Sequence, residues 1–142
     1  MASARPLRGL VCEDQALIAF ELEACLEDAG LSVAGPFASC ADALAWAAGD
    51  TPDFAILDFK LDDGACTELI RLLRARRVPV LVYSGWPQDA RDTPQDLRDL
   101  PWLSKPLECE ALLKALAQAA PASLLAGRDA KAPAATLEER RP

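Results

Sequence analysis

Apolar residues along this chain fall into short runs separated by stretches with helical spacing. Leu7 to Cys12 reads as a first strand, with Gly9 a weak position inside it. From Gln15 to Ala29, the residues Ile18, Leu22, Cys25, Leu26 and Ala29 share one face of a predicted helix, and Gly30 suits its end. Leu31 to Ala34 reads as a second strand closed by Gly35-Pro36. Ser39 is placed to cap an alanine-rich helix over Cys40–Ala48, with Gly49 ending it. Phe54 to Leu57 is apolar without alternation, as expected of a strand covered on both faces. A helix over Cys66–Arg76 follows, with Leu69, Ile70 and Leu73 inward. Val78 to Tyr83 is another covered strand and Trp102 to Ser104 a brief last one. Glu108 to Ala119 is a final helix built on Leu112, Leu113 and Leu116. Between the last two strands, the polar stretch Trp86 to Asp99 carries Pro87 and Pro94, so any helix there is short.

Strands alternating with helices predict an α/β fold with a parallel sheet. Residues 1–6 read as an arm and residues 7–120 as one folded domain. Residues 121–142, rich in Ala, Pro and charge, read as a flexible tail with a short helical extension at Ser123–Ala126. No second domain and no internal repeat is expected.

Composition narrows the function. A net charge of −7 argues against nucleic acid, which is normally met by a basic face. No segment approaches the ~20 apolar residues that span a bilayer, and the opening residues lack the apolar run of a secretory signal. A cytoplasmic protein with no membrane partner is therefore expected. Histidine is absent, which removes the usual general base and the Ser-His triads. The cysteines Cys12, Cys25, Cys40, Cys66 and Cys109 are odd in number and form no C-x-x-C pair, so neither a disulfide framework nor a zinc site is expected. Any chemistry must run on carboxylates, lysine, hydroxyls or a hard metal.

In a parallel α/β sheet, ligands bind outside the carboxyl ends of the strands. The polar residues expected there are Glu13 and Asp14, Asp58, Ser84 with Gly85, and Lys105 with Pro106. Three carboxylates held together repel one another, and Mg²⁺ with its preference for oxygen ligands relieves this. Lysine supplies a point charge for a phosphoryl group and Ser84 a hydroxyl donor. The chemistry suggested is phosphoryl transfer onto a carboxylate, which needs mainly positioning and neutralisation of charge.

The segments "CED", "AILDFKLDDG", "VLVYSG" and "LSKP", in that order and spacing, resemble the receiver domain of two-component response regulators. The resemblance runs from Leu7 to Ala119. It implies a doubly wound five-stranded parallel sheet of order 2-1-3-4-5, counting only the strands above, with a shortened or irregular helix between strands four and five. It implies Asp58 as phosphoacceptor and Glu13, Asp14 and Asp58 as side-chain Mg²⁺ ligands, with Glu13 reaching the metal through water. The backbone carbonyl of Lys60 joins the metal, and Ser84 and Lys105 contact the phosphoryl oxygens. The Lys105-Pro106 bond is often cis in such domains. Gly85 leaves room for the phosphoryl group, Trp86 and Lys60 tune its lifetime, and Trp102 takes the place of the switch aromatic.

Plainer readings stand beside these. Asp62 and Asp63 read as solvated turn residues, and Glu13 and Asp14 also suit a helix start. Ser84 also suits a helix cap, Lys105 a surface ion pair, Trp86 surface packing and Trp102 a fixed core aromatic. The expectation is a stand-alone receiver that takes its phosphoryl group from a histidine kinase or histidine phosphotransfer protein. It would act on an unknown output protein, as a relay intermediate or as a phosphate sink, with a homodimer among the allowed arrangements. It is not an enzyme in the turnover sense, catalysing only its own phosphorylation and dephosphorylation. A pseudo-receiver, binding partners without phosphorylation, is the alternative. A haloacid-dehalogenase-like phosphatase wants a second acid where Lys60 stands, and a nucleotide-binding domain wants a Gly-rich loop after strand one.

Overall fold

The computed structural model describes residues 6–85 and 93–119. Its elements are β1 (Arg8–Cys12), α1 (Ala16–Asp28), β2 (Ser32–Phe37), α2 (Cys40–Ala47) and β3 (Phe54–Leu57), then the two-residue strands β4 (Lys60–Leu61) and β5 (Gly64–Ala65). These are followed by α3 (Thr67–Ala75), β6 (Val80–Ser84), a 3-10 turn (Gln95–Leu97), β7 (Trp102–Ser104) and α4 (Cys109–Ala119). The main sheet is parallel, in the order β2-β1-β3-β6-β7. With the β4–β5 hairpin set aside, that is the expected order 2-1-3-4-5.

Alternation along the covered strands divides the core into two layers. Leu10, Cys12, Ala55, Leu57, Val80 and Val82 pack on Ala43 and Ala47 of α2 and Leu69, Ile70 and Leu73 of α3. Val11, Phe54, Ile56, Leu81 and Tyr83 pack on Leu22 and Leu26 of α1 and Leu112 and Leu116 of α4. Burial on both faces leaves the strand ends as the place for polar chemistry.

Gly9 is a structural requirement rather than a weak position. A methyl group there would meet the buried Phe54 ring, whose nearest atoms lie 2.2 and 2.3 Å from the added carbon. Strand β2 also differs from expectation: it runs through Gly35-Pro36 to Phe37 instead of ending at Ala34. The register against β1 shifts between Leu10↔Ala34 and Cys12↔Phe37, a bulge in an edge strand, where a proline without N–H is tolerated. Gly35 takes φ +104°, and a side chain there would press on Phe37 N and Val11 O. The bulge lets Phe37 O accept from Glu13 N at 2.9 Å, fixing the backbone where β1 ends.

The stretch after β3 is more ordered than a solvated turn. Asp63, between β4 and β5, accepts from the Cys40 and Ala41 amides at 2.9 and 3.0 Å and so caps α2 together with Ser39. The expected absence of disulfides is corrected as well. Cys25 pairs with Cys109 and Cys40 with Cys66, across 84 and 26 positions, leaving Cys12 as the free buried thiol among the described residues. Partners so far apart in sequence leave no spacing signature, and only the stacking of α1 on α4 and of α2 on α3 brings them together.

The expected shortened connection between the last two main strands holds, among the described residues, the single 3-10 turn. Leu97 and Leu100 are buried in the core. Arg71 grips Asp96 with two bonds of 3.0 and 3.1 Å, and Arg74 grips Asp99 at 3.1 and 3.2 Å. Exposed ion pairs contribute little energy, so leucine burial holds this segment and the pairs orient it. The proposed tail and the whole stretch from Trp86 to Asp92 lie outside the described residues.

Two outcomes follow. Gly9→Ala overpacks the core against Phe54 and should lower unfolding free energy by about 1–3 kcal/mol in denaturant titration. The two amides hold the Asp63 carboxyl below the usual aspartate range. The folded state therefore binds fewer protons than the unfolded chain between the lowered value and the ordinary one of about 3.9. Its contribution is complete above the ordinary value and is lost as pH falls through the lowered one. Asp63→Ala should thus melt below wild type at pH 7, and the gap should narrow in strongly acidic buffer.

Candidate functional site

The strand ends bring together the residues that the sequence singles out. Glu13 and Asp14 follow β1, Asp58 follows β3, Ser84 closes β6 and Lys105 lies just beyond β7. Backbone pairing sets their register: Asp58 N donates to Cys12 O at 3.0 Å and Lys105 N to Ser84 O at 3.1 Å. The Lys105-Pro106 bond is cis, as the resemblance implies.

Asp58 is buried, with 9% of its surface exposed, and each oxygen has partners. Ser84 Oγ donates to Oδ1 at 2.5 Å and the Lys60 amide approaches the same oxygen at 3.4 Å. Lys105 Nζ donates to Oδ2 at 2.7 Å. The same ammonium lies 2.5 Å from Glu13 Oε1, so it bridges the two acids. Lys105 is therefore not a surface ion pair but the half-buried counter-charge of the site.

Glu13 is only 2% exposed. Burial pushes its carboxyl above the usual range, against the hydrogen bonds from Lys105 and the Gln15 amide that favour the charged form. Its Oε2 accepts from Gln15 N at 3.1 Å, so the side chain also serves the start of α1. Burial works against the charge on Lys105, but the hydrogen bonds to Asp58 and Glu13 outweigh it and raise the pKa.

Glu13, Asp14 and Asp58 each bring a carboxylate oxygen within 4.8 Å of the others. This is an all-oxygen donor set, suited to a hard cation such as Mg²⁺. The nearby Cys12 offers no soft ligand, because burial pushes its thiol up to about 12 and keeps it protonated. Lys60 belongs to β4 with its side chain half-buried, and Gly85 has open space where a side chain would begin, among the described residues. Trp86 lies outside the described residues. Trp102 is half-buried against the core, its ring centroid 5.3 Å from that of Phe59, the neighbour of Asp58.

Sequence reasoning left two participants out. Asp62 is exposed, but it is not an isolated turn acid: a hydrogen bond with the Asp14 side chain and the charge of that group raise its pKa. The tight β4–β5 turn folds it back toward the acids, and only the two-residue spacing between Leu61 and Gly64 hinted at that turn. Tyr83 is buried with its ring beside Lys105, and its signal was a polar tip inside an otherwise apolar strand.

The chain matches the profile described as response regulator receiver domain over residues 10–117. Among solved structures, SdrG from Sphingomonas melonis Fr1 is 34% identical, with TM-score 0.69 over 87% of this chain and 99% of that one. A sensor protein from Polaromonas sp. JS666 is 30% identical, with TM-score 0.68 over 82% of this chain and 96% of that one. The chemotaxis response regulator CheY4 of Vibrio cholerae, 24% identical with TM-score 0.70 over 80% of this chain and 98% of that one, shares the fold. No curated protein sequence matches. With the profile covering most of the chain and the acids, hydroxyl and lysine gathered at the strand ends, the chain belongs to the response regulator receiver domain family.

Proposed function

We propose that Asp58 accepts a phosphoryl group from a phosphohistidine on a histidine kinase or histidine phosphotransfer protein, and that the chain signals as a single-domain regulator through the partners it then binds. The observation that carries this reading is the Asp58 carboxylate held at the sheet edge by Ser84 Oγ and Lys105 Nζ, with Glu13 and Asp14 alongside. In the transfer, a carboxylate oxygen of Asp58 forms the new P–O bond as the P–N bond to the donor imidazole breaks, and the electron pair of that bond stays on the ring nitrogen. Ser84 and Lys105 are placed to receive the phosphoryl oxygens, because they already contact the carboxylate to which the group is joined.

Glu13, Asp14 and Asp58, with the Lys60 carbonyl, would hold Mg²⁺. When bound, the metal neutralises charge on the transferring group. The chain turns over no external substrate: hydrolysis of its own aspartyl phosphate returns it to the starting state. Among the described residues no helix is long and apolar enough to cross a membrane. The reading places the protein in the cytoplasm.

Acetyl phosphate tests the reading directly. Wild type should label in the presence of Mg²⁺, and omission of the metal or Asp58→Asn should abolish the label. Absence of label in wild type under all conditions would favour a phosphorylation-independent binding module. Metal binding has its own readout. Mg²⁺ at ten times its dissociation constant should stabilise wild type by about 1.4 kcal/mol, and Asp14→Asn should shrink the accompanying rise in thermal midpoint.

A further inference from the structure

Tyr83 is the single tyrosine of the chain and stands immediately before Ser84 on β6. Its ring is buried in the apolar layer beneath α1 and α4. A hydroxyl in such surroundings must find a partner or pay for its desolvation. The partner is one residue's backbone: the hydroxyl accepts from Leu107 N at 2.9 Å and donates to Leu107 O at 3.3 Å. The loop of Lys105, Pro106 and Leu107 is therefore fastened at both ends to consecutive residues of β6. Ser84 O holds the Lys105 amide, and the Tyr83 hydroxyl holds Leu107. The Tyr83 ring also lies under the Lys105 ammonium, with Nζ 5.9 Å from its centroid.

We infer that Tyr83 is a positioning residue for phosphoryl transfer, acting through Lys105; the inference rests on the phosphoacceptor reading of Asp58. Lys105 Nζ reaches Asp58 and Glu13 from a backbone position one residue beyond the three-residue strand β7. Pairing of Ser84 with Ser104 secures the near side of the loop. Beyond Lys105 the chain makes a cis turn at Pro106, which has no N–H, and the Tyr83 hydroxyl is the next anchor before α4 begins at Cys109. Without that hydroxyl, the Leu107 amide and carbonyl lose their partner and the far side of the loop is released. Nζ then samples positions away from the acceptor carboxylate, and misplacement of a catalytic group by about 1 Å slows transfer steeply. The device also ties Ser84 to the loop, since any shift of Ser84 toward a phosphoryl group moves its neighbour Tyr83 and with it Leu107.

Tyr83→Phe tests this while keeping the ring. With acetyl phosphate and Mg²⁺, the initial rate of Asp58 labelling should fall roughly five- to tenfold. In a Lys105→Ala background the same substitution should change the rate by less than about twofold, because the group through which Tyr83 acts is gone. A general packing defect would instead lower the rate equally in both backgrounds, and that result overturns the inference. So does a Tyr83→Phe protein that labels at the wild-type rate. In the metal-free protein, amide exchange should quicken at Leu107 and the Lys105 side-chain carbon resonances should shift. Unchanged spectra there overturn the clamp whatever the kinetics. Wild type that fails to label overturns the phosphoacceptor reading itself, and the kinetic role of Tyr83 falls with it.

Discussion

The ammonium of Lys105, held between Glu13 and Asp58, is the contact on which the site depends. Two carboxylates about 4 Å apart near a protein surface repel by about 4 kcal/mol at an effective dielectric constant of 20. Here Glu13 and Asp58 are both buried, so bulk water screens them weakly. One lysine brought from the far edge of the sheet stands between them as their counter-charge. The position of β7 is therefore an electrostatic matter as much as a packing one, although that strand is short and half exposed. Its hold comes from pairing with β6, from Pro101 O accepting the Val82 amide, and from Leu97 and Leu100 sunk into the core just before it.

The acids owe their places to equally local devices. The β2 bulge brings Phe37 O to the Glu13 amide, so a glycine and a proline on an edge strand set the direction of a buried carboxylate on its neighbour. The Cys12 carbonyl receives the Asp58 amide and ties β1 to β3 at the point where both leave the sheet. Gly9, lower on the same strand, lets Phe54 lie flat across β1, which keeps that pairing close. Site geometry is in this sense an extension of sheet register.

This explains what could be read in advance. Strands β1, β3 and β6 were legible because each is an apolar run that stops abruptly at a polar residue, and those stops are Glu13, Asp58 and Ser84. The helices were legible from spacing, and the small residue-by-residue differences at their ends concern fraying turns. What escaped were the features that depend on a partner far along the chain. Gly35-Pro36 carries the composition of a turn and becomes a bulge only because β1 pairs on both sides of it. Asp62 and Asp63 have the composition of solvent-facing residues, yet one meets Asp14 and the other caps α2, since the β4–β5 turn folds back over the site. The cysteine pairs and the Tyr83–Leu107 contact belong to the same class.

In the state described, Ser84 and Lys105 already bond the acceptor carboxylate. Under the proposed function, phosphorylation does not recruit these groups but makes them exchange partners. A phosphoryl group on one oxygen of Asp58 extends beyond the carboxylate, so Ser84 Oγ and Lys105 Nζ must follow the new oxygens outward or surrender a bond. Lys105 also has Glu13 to leave behind, and Glu13 is buried too deeply to be left unpaired without cost. A cation held by Glu13, Asp14 and Asp58 would supply the charge that Lys105 withdraws. On that reading, whatever neutralises Glu13 and Asp14 would free Lys105 for the phosphoryl oxygens. That exchange would be registered in the loop that carries Lys105, whose far end is fastened to Tyr83 just before α4.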